Sequence, residues 1–196
     1  MNKISHLEKL VRDFYESHRD TWIPAWTEYL YEHHIFFVAE EAKKLSEEFI
    51  VDGEFAIAAS ILHDIADAIL PRNHSEHMIQ SELIATDLLM KAGYNNEERE
   101  IIISDIIHKH SCRDGVRPTS IQGQIMVSAD AIWHLATDFY EFVIPQMIKR
   151  GQSREDIQAW WFPKIERDFF VKIGFDEVRE RYRVDYERCK KLFESL

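Results

Sequence analysis

The sequence predicts an all-α protein, and three features of its 196 residues support that prediction. Apolar residues recur at the three-to-four-residue spacing of amphipathic helices along most of the chain. Strict alternation of apolar and polar residues, which would predict strands, does not occur, and neither do two-residue hairpin signals. Glycines and capping side chains separate the periodic segments. We therefore expect helices throughout, in a single domain over residues 1–196.

Composition argues against several classes of partner. The 35 acidic and 24 basic residues give a net charge of -11, which opposes binding to a nucleic acid polymer or an anionic membrane surface. No apolar run is long enough to span a bilayer, and the N-terminus lacks the apolar core of a secretion signal. We therefore expect a cytoplasmic protein that acts on a small charged ligand and has no membrane partner.

The first part of the chain predicts three helices. Leu7 and Val11 lie on the apolar face of the first. A longer helix is predicted to start at Thr27, and it places His34 on its apolar side, with His33 about 100° away and so a weaker site candidate. The third is apolar on nearly all sides, which predicts burial in the middle of the domain. Asp52 is expected to cap this helix.

That third helix should end near His63 and Asp64. Adjacent helical residues point about 100° apart, so these two side chains can reach one centre only at a helix end or distortion. Ser75 is expected to cap the next helix, which stops at Gly93. His77 lies in its first turns, where the helix dipole disfavours protonation and therefore favours a neutral ligand.

The second part of the chain continues the helical pattern. Asn95 or Asn96 can cap a helix that closes with His110. Another helix, starting at Thr119 or Ser120, places Asp130 among small and apolar neighbours. From Phe139 the pattern runs helical past Gly151, and the last segment is strongly amphipathic. The aromatic cluster Trp160, Trp161 and Phe162 is expected to be core or a homodimer contact.

Four polar residues lie on otherwise apolar helix faces or ends: His34, His63, Asp64 and Asp130. Any one of them alone could be a hydrogen-bonded core residue. Two buried carboxylates beside two imidazoles, however, call for a compensating cation or a hydrogen-bond network. A mixed nitrogen and oxygen set suits Mn, Fe, Ni, Co or Zn, and Mg is compatible with it.

In this order the four residues resemble the HD superfamily of metal-dependent phosphohydrolases. Its pattern is one histidine, a His-Asp doublet and a distant aspartate, and the string AASILHDIAD is the most specific part of the match. The resemblance covers about residues 27–134 and implies a single HD-type helical core there, with C-terminal helices at about 139–196 as an extension. It also implies that the four side chains bind one metal ion.

Two further histidines match positions at which small relatives bind a second metal or contact the phosphate. These are His77 in HMIQSELIATDLL and His110 in IIHKHS, with His108 as an alternative to the latter. The resemblance thus implies one or two ions. Many relatives carry polar residues around the distant aspartate, where this chain has Ser128, Ala131 and Trp133. We therefore expect fewer polar groups around Asp130.

The resulting hypothesis is metal-assisted hydrolysis of a small phosphate ester, a nucleotide or a related metabolite. Asp64, His77 and His110 are the expected catalytic residues. Three basic residues lie near the site in sequence and could bind the phosphate, namely Lys109, Arg72 and Arg113. Two alternatives stay open, a non-catalytic metal-containing module for ligand sensing or interaction, and a di-iron HD-type oxygenase.

Overall fold

Helices make up the regular secondary structure of the computed structural model, which describes residues 2–23 and 25–192. These residues contain no strand, which confirms the all-α class. The chain forms two compact units, residues 1–126 and residues 127–196. The end of the expected C-terminal extension, residues 193–196, lies outside the described residues. The boundaries expected for an HD core and an extension stay a prediction.

The described residues of the first unit form six α-helices and begin a seventh. The elements are α1 (Lys3–Ser17), a 3-10 turn (Arg19–Thr21), α2 (Trp26–His33), α3 (Ile35–Glu48), α4 (Glu54–Leu62), a 3-10 helix (Ile65–Ala68), α5 (His77–Ala92), α6 (Asn96–Glu100), a π-helix (Ile101–Ile107) and a 3-10 turn (Arg113–Gly115). Helix α7 (Ile121–Ala136) continues into the second unit.

Helix α4 lies at the centre of the first unit, as its apolar sequence predicts. Helices α1 and α3 and the π-helix all contact it. Its residues from Ala58 to Leu62 are buried on every side. Burial of apolar surface is the main source of stability for such a helix. Asp52 does accept a hydrogen bond from the Glu54 amide at 3.0 Å, although the capping position itself is Gly53.

Two local predictions in this unit are wrong. The helix expected from Thr27 is broken at His34, whose φ of -102° and ψ of -64° separate α2 from α3. Ser75 does not cap α5, which starts at His77 after Glu76. The helix expected after Asn95 is confirmed: Asn95 caps α6 with a capping box, and the helical segment that follows winds as a π-helix. The expected stop at Gly93 is confirmed, since its φ of 95° is readily adopted by glycine.

The second unit is also helical. After α7 come α8 (Phe139–Lys149), α9 (Arg154–Arg167), a π-helix (Asp168–Lys172), α10 (Asp176–Arg181) and α11 (Arg183–Leu192). The helix predicted from Phe139 past Gly151 is interrupted, because Gly151 has a φ of 79° and Ser153 starts α9 with a capping box. Trp161 is buried and stacks on Tyr140 at 5.4 Å, so this member of the aromatic cluster is core. None of the described helices combines the length and apolar character that a bilayer crossing requires.

Candidate metal centre

His63 and Asp64 lie where α4 ends. The His63 amide makes a last helical hydrogen bond to the Ala59 carbonyl at 2.8 Å, and Asp64 then leaves helical geometry with φ -124° and ψ 29°. This turn brings the two side chains together, with His63 Nε2 3.2 Å from Asp64 Oδ2. The prediction that the pair lies at a helix end is confirmed.

His34 faces this pair from the break between α2 and α3. Its Nε2 atom lies 3.0 Å from Nε2 of His63 and 4.0 Å from Oδ2 of Asp64. His34 is fully buried, and His63 and Asp64 are buried with it. The unpredicted helix break therefore places an imidazole nitrogen beside the doublet in surroundings that exclude solvent.

Backbone carbonyls fix the orientation of two of the imidazoles. His63 Nδ1 lies 2.9 Å from the Ser60 carbonyl, and His110 Nδ1 lies 2.7 Å from the Ile107 carbonyl. Because a carbonyl only accepts, Nδ1 is the donor in both rings, and the neutral ring then carries its lone pair on Nε2. Such hydrogen bonds typically orient metal-ligating histidines.

His110 belongs to the same group of side chains. Its Nε2 atom lies 3.8 Å from Asp64 Oδ1, and its ring centre lies 5.1 Å from that of His63. His108, the alternative, is exposed and contacts Glu82 at 2.7 Å. The structure thus brings His110 to the doublet.

A second carboxylate, Asp67, lies beside the doublet and was not identified from the sequence. It is 2% exposed and contacts Arg72 Nη2 at 2.7 Å and His77 Nε2 at 3.0 Å. Because an ionised carboxylate only accepts, His77 donates through Nε2. A usable signal was present, since Asp67 follows Asp64 by three residues within the same motif.

Arg72 bridges the two carboxylates. Its Nη2 atom lies 2.5 Å from Asp64 Oδ2, besides its contact with Asp67. Burial alone would raise the pKa of Asp64. Arg72, and after it His63 and His110, lower the pKa by more than burial raises it, so the pKa lies well below its usual range. Asp64 is therefore ionised at neutral pH.

The other two predicted phosphate ligands, Lys109 and Arg113, stay predictions. Lys109 Nζ contacts Asp105 Oδ1 at 2.7 Å. Arg113 is exposed in the 3-10 turn Arg113–Gly115. Of the three basic residues, Arg72 is the one that contacts a member of the doublet.

Asp130 lies in the second unit, in α7, and is 2% exposed. It forms an ion pair with Lys172 and lies 3.8 Å from His134 Nδ1. Ser128 donates to the Lys172 carbonyl at 3.0 Å. These surroundings are richer in polar groups than the sequence predicts, because Lys172 comes from a segment 42 residues further along the chain.

The donor set suits a transition metal. Charges also favour a cation, since Asp64 and Asp67 carry two negative charges against one positive charge on Arg72 when the imidazoles are neutral. His34 and His63 are buried side chains of a type that holds metal ions, and they could bind one.

Two curated relatives are similar to the chain in sequence, and both are named ribonuclease Y. The protein from Symbiobacterium thermophilum is 26% identical over 142 residues, which is 72% of this chain and 25% of the relative. The protein from Bacillus pumilus is 26% identical over 152 residues, which is 78% of this chain and 27% of the relative. The chain therefore spans about a quarter of the length of each relative.

No family model matches the chain. No solved structure matches it either.

Proposed function

We propose that the protein is a metal-dependent phosphohydrolase of the HD type. The observation that carries the proposal is the buried pair of Nε2 atoms of His34 and His63, 3.0 Å apart, with the ionised Asp64 3.2 Å from His63. The similarity to two proteins named ribonuclease Y supports phosphoester hydrolysis as the reaction class.

In this proposal His34, His63 and Asp64 hold the first ion. Such an ion, when bound, lowers the pKa of a water molecule and polarises the phosphoryl oxygen. The carbonyls of Ser60 and Ile107 keep the Nε2 lone pairs of His63 and His110 directed to the site. Asp130 as the fourth ligand rests on the sequence resemblance.

Asp64 and His110 are the proposed catalytic residues. Asp64 stays ionised at neutral pH and can accept a hydrogen bond from the attacking water, which orients it. His110 presents Nε2 3.8 Å from Asp64 and can accept a proton there or bind a second ion. His77 donates a hydrogen bond to Asp67 and so holds the carboxylate that Arg72 also contacts. This contact gives His77 a positioning role.

The proposed substrate is a small phosphate ester whose anionic oxygens Arg72 binds. A second candidate is an RNA phosphodiester, favoured by the printed names of both relatives. The net charge of -11 favours the small ester, since an acidic protein repels a phosphate polymer. Both candidates require the same metal-assisted attack of water on phosphorus.

The test is hydrolysis by metal-free protein reloaded with Mn, Fe, Co, Ni, Zn or Mg in turn. The substrates are an aryl phosphate monoester, a bis-aryl phosphate diester, a nucleotide panel and a short RNA. Asp64→Asn should abolish turnover, whereas Asp87→Asn, at an exposed ion pair with Lys91 on α5, should not change it. If no metal supports hydrolysis of any of these esters by the wild-type protein, the proposed function is wrong.

A further inference from the structure

Asp67 holds the Arg72 guanidinium through two of its nitrogens. Nη2 donates to Asp67 Oδ2 at 2.7 Å, and Nε lies 3.2 Å from the same oxygen and 3.3 Å from Oδ1. Contact through two nitrogens of a planar guanidinium fixes its orientation as well as its position. Asp67 therefore determines where the Arg72 guanidinium lies relative to Asp64, which Nη2 reaches at 2.5 Å.

Asp67 is itself held in place by groups from α2 and α5. Thr27 Oγ1 donates to the Asp67 carbonyl at 3.1 Å, and His77 Nε2 donates to the Asp67 carboxylate at 3.0 Å. The neighbouring Ala66 amide donates to Ser81 Oγ at 3.2 Å. Thr27 and Ser81 are fully buried. The position of the Asp67 carboxylate is therefore fixed from two helices.

One oxygen of Asp64 is shared between the guanidinium and the imidazoles. Asp64 Oδ2 lies 2.5 Å from Arg72 Nη2, 3.2 Å from His63 Nε2 and 4.0 Å from His34 Nε2. A metal ion bound by His34, His63 and Asp64 would compete with the guanidinium for this carboxylate, because two cations repel each other. Metal binding should therefore weaken the contact of Arg72 with Asp64 and leave its contact with Asp67.

Arg72 is also the member of this group that a dissolved ligand can reach. Its side chain is 29% exposed, whereas those of Asp64 and Asp67 are 8% and 2% exposed. Guanidinium N–H groups bind phosphoryl oxygens as well as carboxylates. An N–H that leaves Asp64 can therefore donate to a phosphate that enters from solvent.

We propose that Asp67 is a positioning residue for phosphate binding. It keeps the Arg72 guanidinium beside Asp64 after a metal ion has displaced it from that carboxylate, and Arg72 then donates to a phosphoryl oxygen. His77 supports this role because it holds the Asp67 carboxylate. The inference rests on the proposed function, since it assumes that a metal ion binds Asp64 and that a phosphate enters beside it.

Charge and positioning predict opposite effects of Asp67→Asn. With neutral imidazoles, Asp64, Asp67 and Arg72 sum to one negative charge, which a divalent ion changes to one positive charge, so phosphate should bind only after the metal. Asp67→Asn removes a further negative charge, and charge alone would make phosphate bind more tightly. Positioning predicts weaker binding, because the guanidinium loses its ionic partner.

The test is isothermal titration calorimetry of wild type, Asp67→Asn, Arg72→Gln and the double variant. Mn²⁺ is titrated into each metal-free protein, and inorganic phosphate is then titrated into the Mn²⁺-loaded protein. We expect phosphate affinity about tenfold weaker in each single variant, and no weaker in the double variant than in Arg72→Gln, because Asp67 acts through Arg72. Arg72→Gln should bind Mn²⁺ more tightly than wild type, since a competing cation is gone.

Two further variants complete the comparison. Asp87→Asn removes a carboxylate from the exposed ion pair with Lys91 on α5 and should leave both affinities unchanged. Arg72→Lys keeps the positive charge at a partly exposed position and should fold, but an ammonium group cannot be held through two nitrogens. It should bind phosphate about as weakly as Arg72→Gln, and so it tests the claim even if Asp67→Asn does not fold.

The inference is overturned if Asp67→Asn or Arg72→Lys binds phosphate at least as tightly as wild type, or if the two single losses add in the double variant. It is also overturned if Asp87→Asn loses as much, if Arg72→Gln binds Mn²⁺ no more tightly than wild type, or if wild type binds phosphate equally well in EDTA or not at all.

The proposed function is tested separately by hydrolysis. If wild type shows the expected pattern of phosphate binding but hydrolyses no ester, the proposed function fails while the role of Asp67 stands. If wild type hydrolyses an ester and Asp67→Asn binds phosphate as tightly as wild type, the role of Asp67 fails while the proposed function stands.

Discussion

The Nε2 atoms of His34 and His63 lie 3.0 Å apart although the residues are 29 positions apart in sequence. His63 donates through Nδ1 to the Ser60 carbonyl, so its neutral ring offers a lone pair on Nε2. Two lone pairs at this distance repel unless a proton or a cation lies between the rings. In the metal-free protein a His34 Nε2–H can supply that proton, and a metal ion would replace it.

Metal binding should therefore stabilise the wild-type protein and not His34→Ala. At a free metal concentration 100 times the Kd, the free energy of unfolding should rise by about 2.7 kcal/mol. His33→Ala is the matched control, because His33 is the adjacent residue and its side chain is 59% exposed. Thermal unfolding with Mn²⁺ and with EDTA measures the effect. An equal gain in the two variants would contradict the assignment of His34.

Arg72→Gln should destabilise the metal-free protein, because it leaves Asp64 and Asp67 without their shared cation. We expect a loss of about 2 kcal/mol in the free energy of unfolding, less than for a fully buried pair because Arg72 is partly exposed. Denaturant titration in EDTA measures it. Arg19→Gln, at an exposed pair with Glu16, is the control and should change the free energy of unfolding far less.

The effect of Arg72→Gln should also depend on pH. The folded-state pKa of Asp64 is lowered, so its stabilising contribution is fully present above the unfolded pKa of about 3.9 and is lost as the pH falls through the folded value. The difference in the free energy of unfolding between wild type and Arg72→Gln should have its largest value at pH 7 and should shrink below about pH 4. A difference that grows on acidification would contradict the pairing.

Asp105 anchors the loop before α7. Its carboxylate accepts hydrogen bonds from the backbone amides of Thr119 and Ser120, each at 2.9 Å, and contacts Lys109. Asp105→Ala should cost about 2 kcal/mol in unfolding free energy, because two amides lose their acceptor. Asp87→Ala, at the exposed Lys91 pair, should cost about 0.5 kcal/mol or less. Equal losses in the two variants would show that Asp105 is only a surface charge.

That contribution should also weaken in acid. Burial alone would raise the pKa of Asp105. Hydrogen bonds from Lys109, Ser120 and Thr119 together lower the pKa by more than burial raises it, so it lies well below its ordinary range. The cost of Asp105→Ala should therefore be complete above about pH 4 and decline as the pH falls towards the folded pKa. Denaturant titrations at pH 7 and pH 3 measure the change.

Lys172 and Asp130 should behave as a coupled buried pair. Their side chains are 4% and 3% exposed, so Lys172→Met leaves a buried carboxylate uncompensated and should cost about 3 kcal/mol. In EDTA, the double variant Asp130→Asn/Lys172→Met should lose clearly less than the sum of the two single losses. Additive losses would show that the pair is not coupled.

The sequence predicts the fold class and the position of the doublet because both depend on local pattern. Apolar periodicity defines the helices, and the apolar run before His63 ends where α4 ends. The break at His34 could not be predicted, since its segment keeps helical spacing on both sides. Helix α3, which begins after the break, packs against α4, and tertiary contacts of this kind can override local helical propensity.

The remaining differences are long-range contacts. Lys172 reaches Asp130 from 42 residues away, and no spacing rule in the sequence connects them. Asp67, in contrast, could have been found, since it follows Asp64 by three residues in one motif. His77 was predicted in the first turn of a helix, which is confirmed, but its Asp67 partner depends on the fold of the loop between them.

The most direct test of a metal-dependent phosphohydrolase is a Mn²⁺ titration of the metal-free protein with hydrolysis of a phosphate ester as the readout. A bis-aryl phosphate diester is followed by the aryl alcohol that it releases, and a nucleotide monophosphate by the inorganic phosphate that it releases. We predict that the rate rises in proportion to bound metal, saturates at one or two ions per chain, and vanishes in Asp64→Asn. Bound metal without hydrolysis of either ester, or hydrolysis that persists in EDTA, would contradict the account.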